Sequence, residues 1–116
     1  MTAFNAPFKP DEYITCAAIW YKELPKQNFP PKNIDKGIVV CGLRHSNCID
    51  IVKTLGELRT VRFAPDGVGE TIQGFMTSGN RFVDRLEAAE IAIKSGQVLR
   101  NFLSNPLIGL FSEDLY

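Results

Sequence analysis

The sequence predicts an α+β protein: a small antiparallel sheet carrying two helices, followed by an extended C-terminal tail, in a chain that associates as a dimer. Three observations predict it. Short runs such as "YITCAAIWY" (Tyr13–Tyr21) and "GIVVCGLRH" (Gly37–His45) are rich in β-branched and aromatic residues and too short for helices of their own. Two other stretches place apolar residues at helical spacing behind capping residues. The 116 residues are enough for one ordinary core and not for two, so residues 1–116 form a single domain, with 1–10 as a flexible arm.

Taken in order, Tyr13–Tyr21 is a strand, expected in the middle of the sheet. The segment that follows, "KELPKQNFPPKNIDKG", holds three prolines, two of them adjacent, and a paired strand or helix interior tolerates neither. It is therefore an exposed loop, longest over Leu24 to Asp35. Gly37–His45 is the second strand, and Ser46 is placed to cap a helix running to about Leu58, with Ile49, Val52 and Leu55 at helical spacing. "TVRFAPDGVGE" is a turn region and "TIQGFMTS" a third strand. Asp84 and Glu87 have capping-box spacing at a second helix, in which Leu86, Ala89 and Ile93 form the buried stripe and Arg85, Glu87, Glu90 and Lys94 the wet face. Gly96 stops it, and Pro106 keeps the apolar tail extended.

Composition removes several classes of function. Lysine plus arginine number 13 against 13 acids, so no summed field draws in duplex DNA, RNA or an anionic membrane. No run approaches the length of a membrane span and the first residues lack a signal-peptide pattern, which predicts a soluble, intracellular protein. Cys16, Cys41 and Cys48 are odd in number and never spaced as C-x-x-C, so they read as reduced thiols without a disulfide framework or zinc ribbon. No cofactor or metal is implied.

His45 is the single histidine, which excludes two-histidine phosphodiesterase chemistry and multi-histidine metal sites. Cys48 follows it by three residues, but a nucleophilic cysteine also needs an oriented base and a positive setting, so Cys48 is expected to pack and no enzyme is expected. "DGVGE" precedes a strand rather than a helix and supports no phosphate-binding loop. The arginines say more. Arg44 closes a strand, Arg81 follows Gly79–Asn80 and Arg85 begins a helix, places from which guanidinium groups grip phosphate. Phe75 and Phe82 bracket the same loop, adding aromatic faces to the charge. Two readings stay open there: a nucleotide pocket, or a plain helix start in which Phe82 is core and Arg85 pairs with Glu87 or Glu90.

The run "GFMTSGNRFVDRLEAAEIAIKSGQ", with upstream "ITCAAIWY" and "GLRHSN" and terminal "LFSEDLY", resembles a family of small phage proteins that includes the Thoeris anti-defence sponges. The resemblance covers most of Ile14 to Tyr116. It implies an antiparallel sheet with helices and a non-enzymatic role in the cytoplasm of an infected bacterial host. Such proteins sequester a cyclic ADP-ribose-type immune signal without degrading it, as dimers with pockets at the subunit interface, some assembling into hexamers that also hold cyclic oligonucleotides. The loop at Leu24 to Asp35 departs from the tighter connection that the family implies.

Within that neighbourhood, side-chain chemistry assigns Arg44, Arg81 and Arg100 to phosphates, Phe75, Phe82 and Trp20 to stacking, and His45 and Thr77 to hydrogen bonds with ribose or phosphate. The alternative is a small phage structural or protein-interaction module with the same dimer and no nucleotide.

Overall fold

The structure, a computed structural model, describes residues 12–56 and 70–115. Its elements are β1 (Ile14–Tyr21), β2 (Ile38–Gly42), α1 (His45–Gly56), β3 (Thr71–Thr77), β4 (Phe82–Asp84), α2 (Arg85–Lys94), a 3-10 turn at Arg100–Phe102 and α3 (Ser112–Leu115). The strands form one antiparallel sheet in the order β2-β1-β3-β4, so the α+β expectation holds with β1 internal. β4 is an addition, because its three residues are too few for a periodicity signal. The expected arm over 1–10, the turn at 60–69 and the end of the first helix near Leu58 lie outside the described residues.

Alternation along β1 divides the core. Ala17, Ile19 and Tyr21 face the helices: Ala17 joins Phe75, Val83, Ala88, Ala89, Ala92 and Leu110, while Ile19 and Tyr21 join Leu24, Cys48 and Val52. Ala18, on the other face, packs with Ile34, Val39 and Phe82, against which Trp20, Ile72 and Met76 lie. Ile34 belongs to the proline-rich segment, which is a largely exposed loop as expected but turns Leu24, Pro31 and Ile34 inward and so straps the sheet. At one end Gln27 Oε1 accepts from Val39 N (2.8 Å) and Gln27 N donates to Gly37 O (3.2 Å), pinning the strap to β2. At the other, Lys32 N donates to Asn80 O (2.9 Å), and the Asn33 amide both accepts from Phe82 N (2.9 Å) and donates to Phe82 O (2.7 Å). Both edge strands gain partners for backbone groups that an uncovered sheet edge leaves open.

Both helices turn other faces inward than the spacing suggests. α1 buries His45, Cys48 and Val52, leaving Ile49 and Leu55 exposed. It begins at His45, so Ser46, the expected cap, lies inside the first turn; Asn47 Oδ1 accepts from Arg44 N (2.9 Å) just ahead of the helix, and the Arg44 carbonyl accepts from Asn47 N (3.0 Å). α2 buries Ala88, Ala89 and Ala92, and Leu86 is 55% exposed, so its expected place in the buried stripe is corrected. Phe75 and Val83 fill the space from the sheet side, so the helix lies close only through small residues. Leu86→Ala is accordingly expected to change stability by no more than about 0.5 kcal/mol. Ala92→Leu in the packed stripe should cost about 1–3 kcal/mol, as urea unfolding of the two variants would show.

Candidate functional site

The loop from β3 to β4 is a hairpin turn. Thr77 N donates to Arg81 O (3.0 Å), Asn80 N to Thr77 O (3.0 Å), and Asn80 takes the left-handed conformation at φ 60°. Into this turn reaches Glu12. Its carboxylate receives Arg81 Nε and Arg81 NH2, each at 2.7 Å, together with the Thr77 hydroxyl, and Arg81 NH2 also donates to Glu87 Oε2 (3.1 Å). Gly79 leaves the space that Glu12 occupies. Arg81 therefore binds two carboxylates of its own chain, and the turn is closed by them. These hydrogen bonds, first from Arg81 and then from Thr77, hold the Glu12 carboxyl down at about 2.

A second cluster forms where α1 and α2 begin. His45, 8% exposed, stands edge-on to the Phe75 ring at 5.0 Å. Its Nε2 lies 2.8 Å from Gly74 O; a carbonyl only accepts, so Nε2 carries the hydrogen and Nδ1 of the neutral ring turns its lone pair to Arg85 NH2 at 3.5 Å. Burial, followed by the Arg85 cation, holds His45 below its ordinary value against the pull of the Gly74 bond. Arg85 donates to Gln73 Oε1 (2.5 Å) and Leu110 O (2.8 Å) and lies 4.2 Å over the Phe111 ring. All these acceptors are neutral. Burial lowers its pKa, and Glu113 and Asp114 oppose that from a distance. Arg44 pairs with Glu113 at 3.4 Å beside them.

The tail that carries Phe111 is docked by Gly109. Its φ of 118° and its closeness to the Arg85 carbonyl exclude a side chain, and the next residue, Leu110, donates its N–H to that carbonyl at 2.9 Å.

The eight residues expected at a site thus fall into four groups. Arg44, His45 and Phe75 meet at the start of α1, where Phe75 is fully buried and offers neither ring face to solvent. Trp20 and Phe82 meet on the strap side of the sheet, ring centroids 6.0 Å apart, with Trp20 Nε1 donating to Lys36 O (2.9 Å). Phe82 is 6% exposed, the core residue of the plainer reading. Thr77 and Arg81 hold Glu12, and Arg100 forms an exposed pair with Glu90 (3.0 Å). Arg85, expected on a wet face and, in the plainer of the two readings, paired with Glu87 or Glu90, instead joins His45 and Gln73. A sequence signal for it existed: an arginine in the first turn of a helix opposes the helix dipole, and such a cation needs another reason to be there. Cys48 is buried and its thiol pushed up to about 11 by that burial, in keeping with a packing role.

Acid should unfold the protein in two windows. His45 has a lowered folded value, so its contribution is full above about pH 6.5 and falls away as the pH drops through that lowered value. Glu12 contributes above about 4.5 and loses it toward about 2. Partial exposure limits the Glu12 part to about 1–2 kcal/mol. Urea midpoints followed from pH 8 to 3 should show both slopes, and Glu12→Gln should flatten the lower one.

Sheet order, strap and helix starts define a strapped, four-stranded α+β protein with a cationic cluster between two helix N-termini. Among the described residues no three potential ligands come together for a metal ion, and no helix is long and apolar enough to cross a membrane. The chain belongs to the phage T4 y16D protein family, whose model matches residues 13–116, and it is thus a member of a phage protein family. No curated protein and no solved structure matches it.

Proposed function

We propose that the protein is a phage anti-defence sponge: it binds a cyclic ADP-ribose-type signal, and cyclic oligonucleotides as further ligands, without cleaving them, in the cytoplasm of the infected host. The observation that carries this reading is Arg85, a half-buried cation whose hydrogen bonds go only to neutral acceptors. Beside it stand a neutral His45 and Arg44, the latter already paired with Glu113 at 3.4 Å, so an incoming pyrophosphate would give Arg85 the short-range negative partner that it lacks. Arg81 takes a structural part, since its fork is filled by Glu12. The absence of chemistry fits acids that are already engaged: Asp84 Oδ1 accepts from Glu87 N (2.8 Å) and Glu12 is clamped by Arg81. Association as a homodimer, and further as a hexamer, would cover Leu86, Leu107 and Ile108, of which Leu107 is 90% exposed. The same exposed residues favour the second reading, a phage protein-interaction module with no nucleotide.

A thermal-shift series with cyclic ADP-ribose isomers, cyclic dinucleotides and cyclic trinucleotides separates the readings, because a ligand of the folded state raises its melting temperature. The sponge reading expects one class to stabilise the protein and to be recovered unchanged after denaturation. A hydrolysed product reinstates an enzyme; no shift with any class leaves the interaction module.

A further inference from the structure

Outside the cluster, two of the three thiols lie on one face of the sheet, on neighbouring strands. Cys41 on β2 is in register with Ala18 of β1, so Cys16, two residues along β1, stands on the same face of the sheet and diagonal to it. Thr15 is the extra residue of a β-bulge: Ile14 lies opposite Thr77, and Cys16 opposite Met76. Bulges re-aim the side chain beside them. The Thr15 hydroxyl shares its hydrogen between Met76 O at 3.1 Å and Cys16 Sγ at 3.8 Å, and Cys41 is exposed while Cys16 is half-buried. The third thiol differs: Cys48 is buried under α1, its Sγ at 3.8 Å from Ala17 O and 3.6 Å from Arg44 O.

We propose that Cys16 and Cys41 are a nucleophile and its resolving thiol, which accept oxidation from a low-molecular-weight disulfide and close as a reversible bridge between β1 and β2. The Cys16 thiolate attacks one sulfur of glutathione disulfide, forming a mixed disulfide and expelling one glutathione thiolate. Cys41 then gives up its proton to solvent and attacks Cys16 Sγ, and the second glutathione leaves as thiolate. The protein loses two hydrogens and one disulfide becomes two thiols, so electrons balance. The division of roles follows from the pair itself. The neighbouring Cys41 thiol, and then the Thr15 hydroxyl, hold the Cys16 thiol down at about 6 against its burial, and Cys41 is pushed well above the usual range by its nearness to Cys16 and by burial.

The test uses the full chain incubated with glutathione disulfide at pH 7, then quenched in acid, alkylated under denaturing conditions and mapped by mass spectrometry. The wild type should lose two hydrogens, yield a cross-linked peptide containing Cys16 and Cys41, keep Cys48 alkylatable, and return to three free thiols with dithiothreitol. Cys41→Ser should stop with one glutathionyl group on Cys16, and Cys16→Ser should leave Cys41 unmodified over the same time; circular dichroism confirms that both variants fold. Alkylation of Cys16 in the wild type should have its midpoint well below the ~8.5 of a free thiol. Three thiols that all remain alkylatable, a bridge to Cys48, or an adduct at Cys41 that forms as fast in Cys16→Ser would overturn the proposal.

Discussion

Phe75→Ala is expected to cost about 3–5 kcal/mol of folding stability, the usual range for emptying a buried aromatic site. Phe75 is the largest fully buried side chain among the described residues, and it packs with Ala17, Val83, Ala88 and Leu110 while its ring supports His45 edge-on. Small neighbours such as Ala17 and Ala88 cannot swing in to fill the space, so the cavity persists. The loss is a large part of the 5–15 kcal/mol that holds an ordinary domain together, and the variant should unfold at a much lower urea midpoint. Phe75→Leu, which keeps most of the volume, should lose about half as much. A Phe75→Ala protein as stable as the wild type would mean that the ring is not core.

Arg85→Gln is expected to weaken binding of a cyclic ADP-ribose-type ligand about ten- to a hundred-fold, since a charge-assisted hydrogen bond contributes roughly 1.5–3 kcal/mol. The variant keeps a polar side chain near Gln73 but gives up the cation stacked on Phe111. Arg85→Lys should fall between the two, because a point charge replaces a planar fork. Isothermal titration reads affinity and a melting curve reads stability, so loss of ligand is separable from loss of fold.

How far the sequence carried depends on whether a feature is local. The Asp84 cap was legible because it needs only a carboxylate three residues ahead of Glu87, and Asp84 accepts from Glu87 N as expected. Its reciprocal half was not: the Glu87 carboxylate turns to Arg81. β1, β2 and β3 were legible from β-branched and aromatic runs, whereas β4 was hidden in what read as a loop. Leu86 misled because a large apolar residue at helical spacing usually marks the buried face; here Phe75 and Val83 take that volume from the sheet, and only alanines fit between. The proline-rich segment looked like a free loop because Asn33 and Gln27 mimic backbone partners with their side chains, an arrangement no composition rule sees. Arg44 and His45 were singled out together and do stand together. Gln73, Phe111 and Arg85 join them only through contacts that span the fold, so no spacing could announce them.

We propose that the cation cluster at the starts of α1 and α2, and not the turn at Arg81, holds an anionic signal. The most direct measurement is one calorimetric titration series of wild type, Arg85→Gln and Arg81→Ala with the nucleotide that raises the melting temperature most, at a temperature where all three are folded. Arg81→Ala should bind within a few-fold of the wild type though it melts earlier, Arg85→Gln should lose about ten- to a hundred-fold, and the nucleotide should be recovered intact from every cell. An Arg85→Gln protein that binds as the wild type does, while folded Arg81→Ala has lost the ligand, would contradict it.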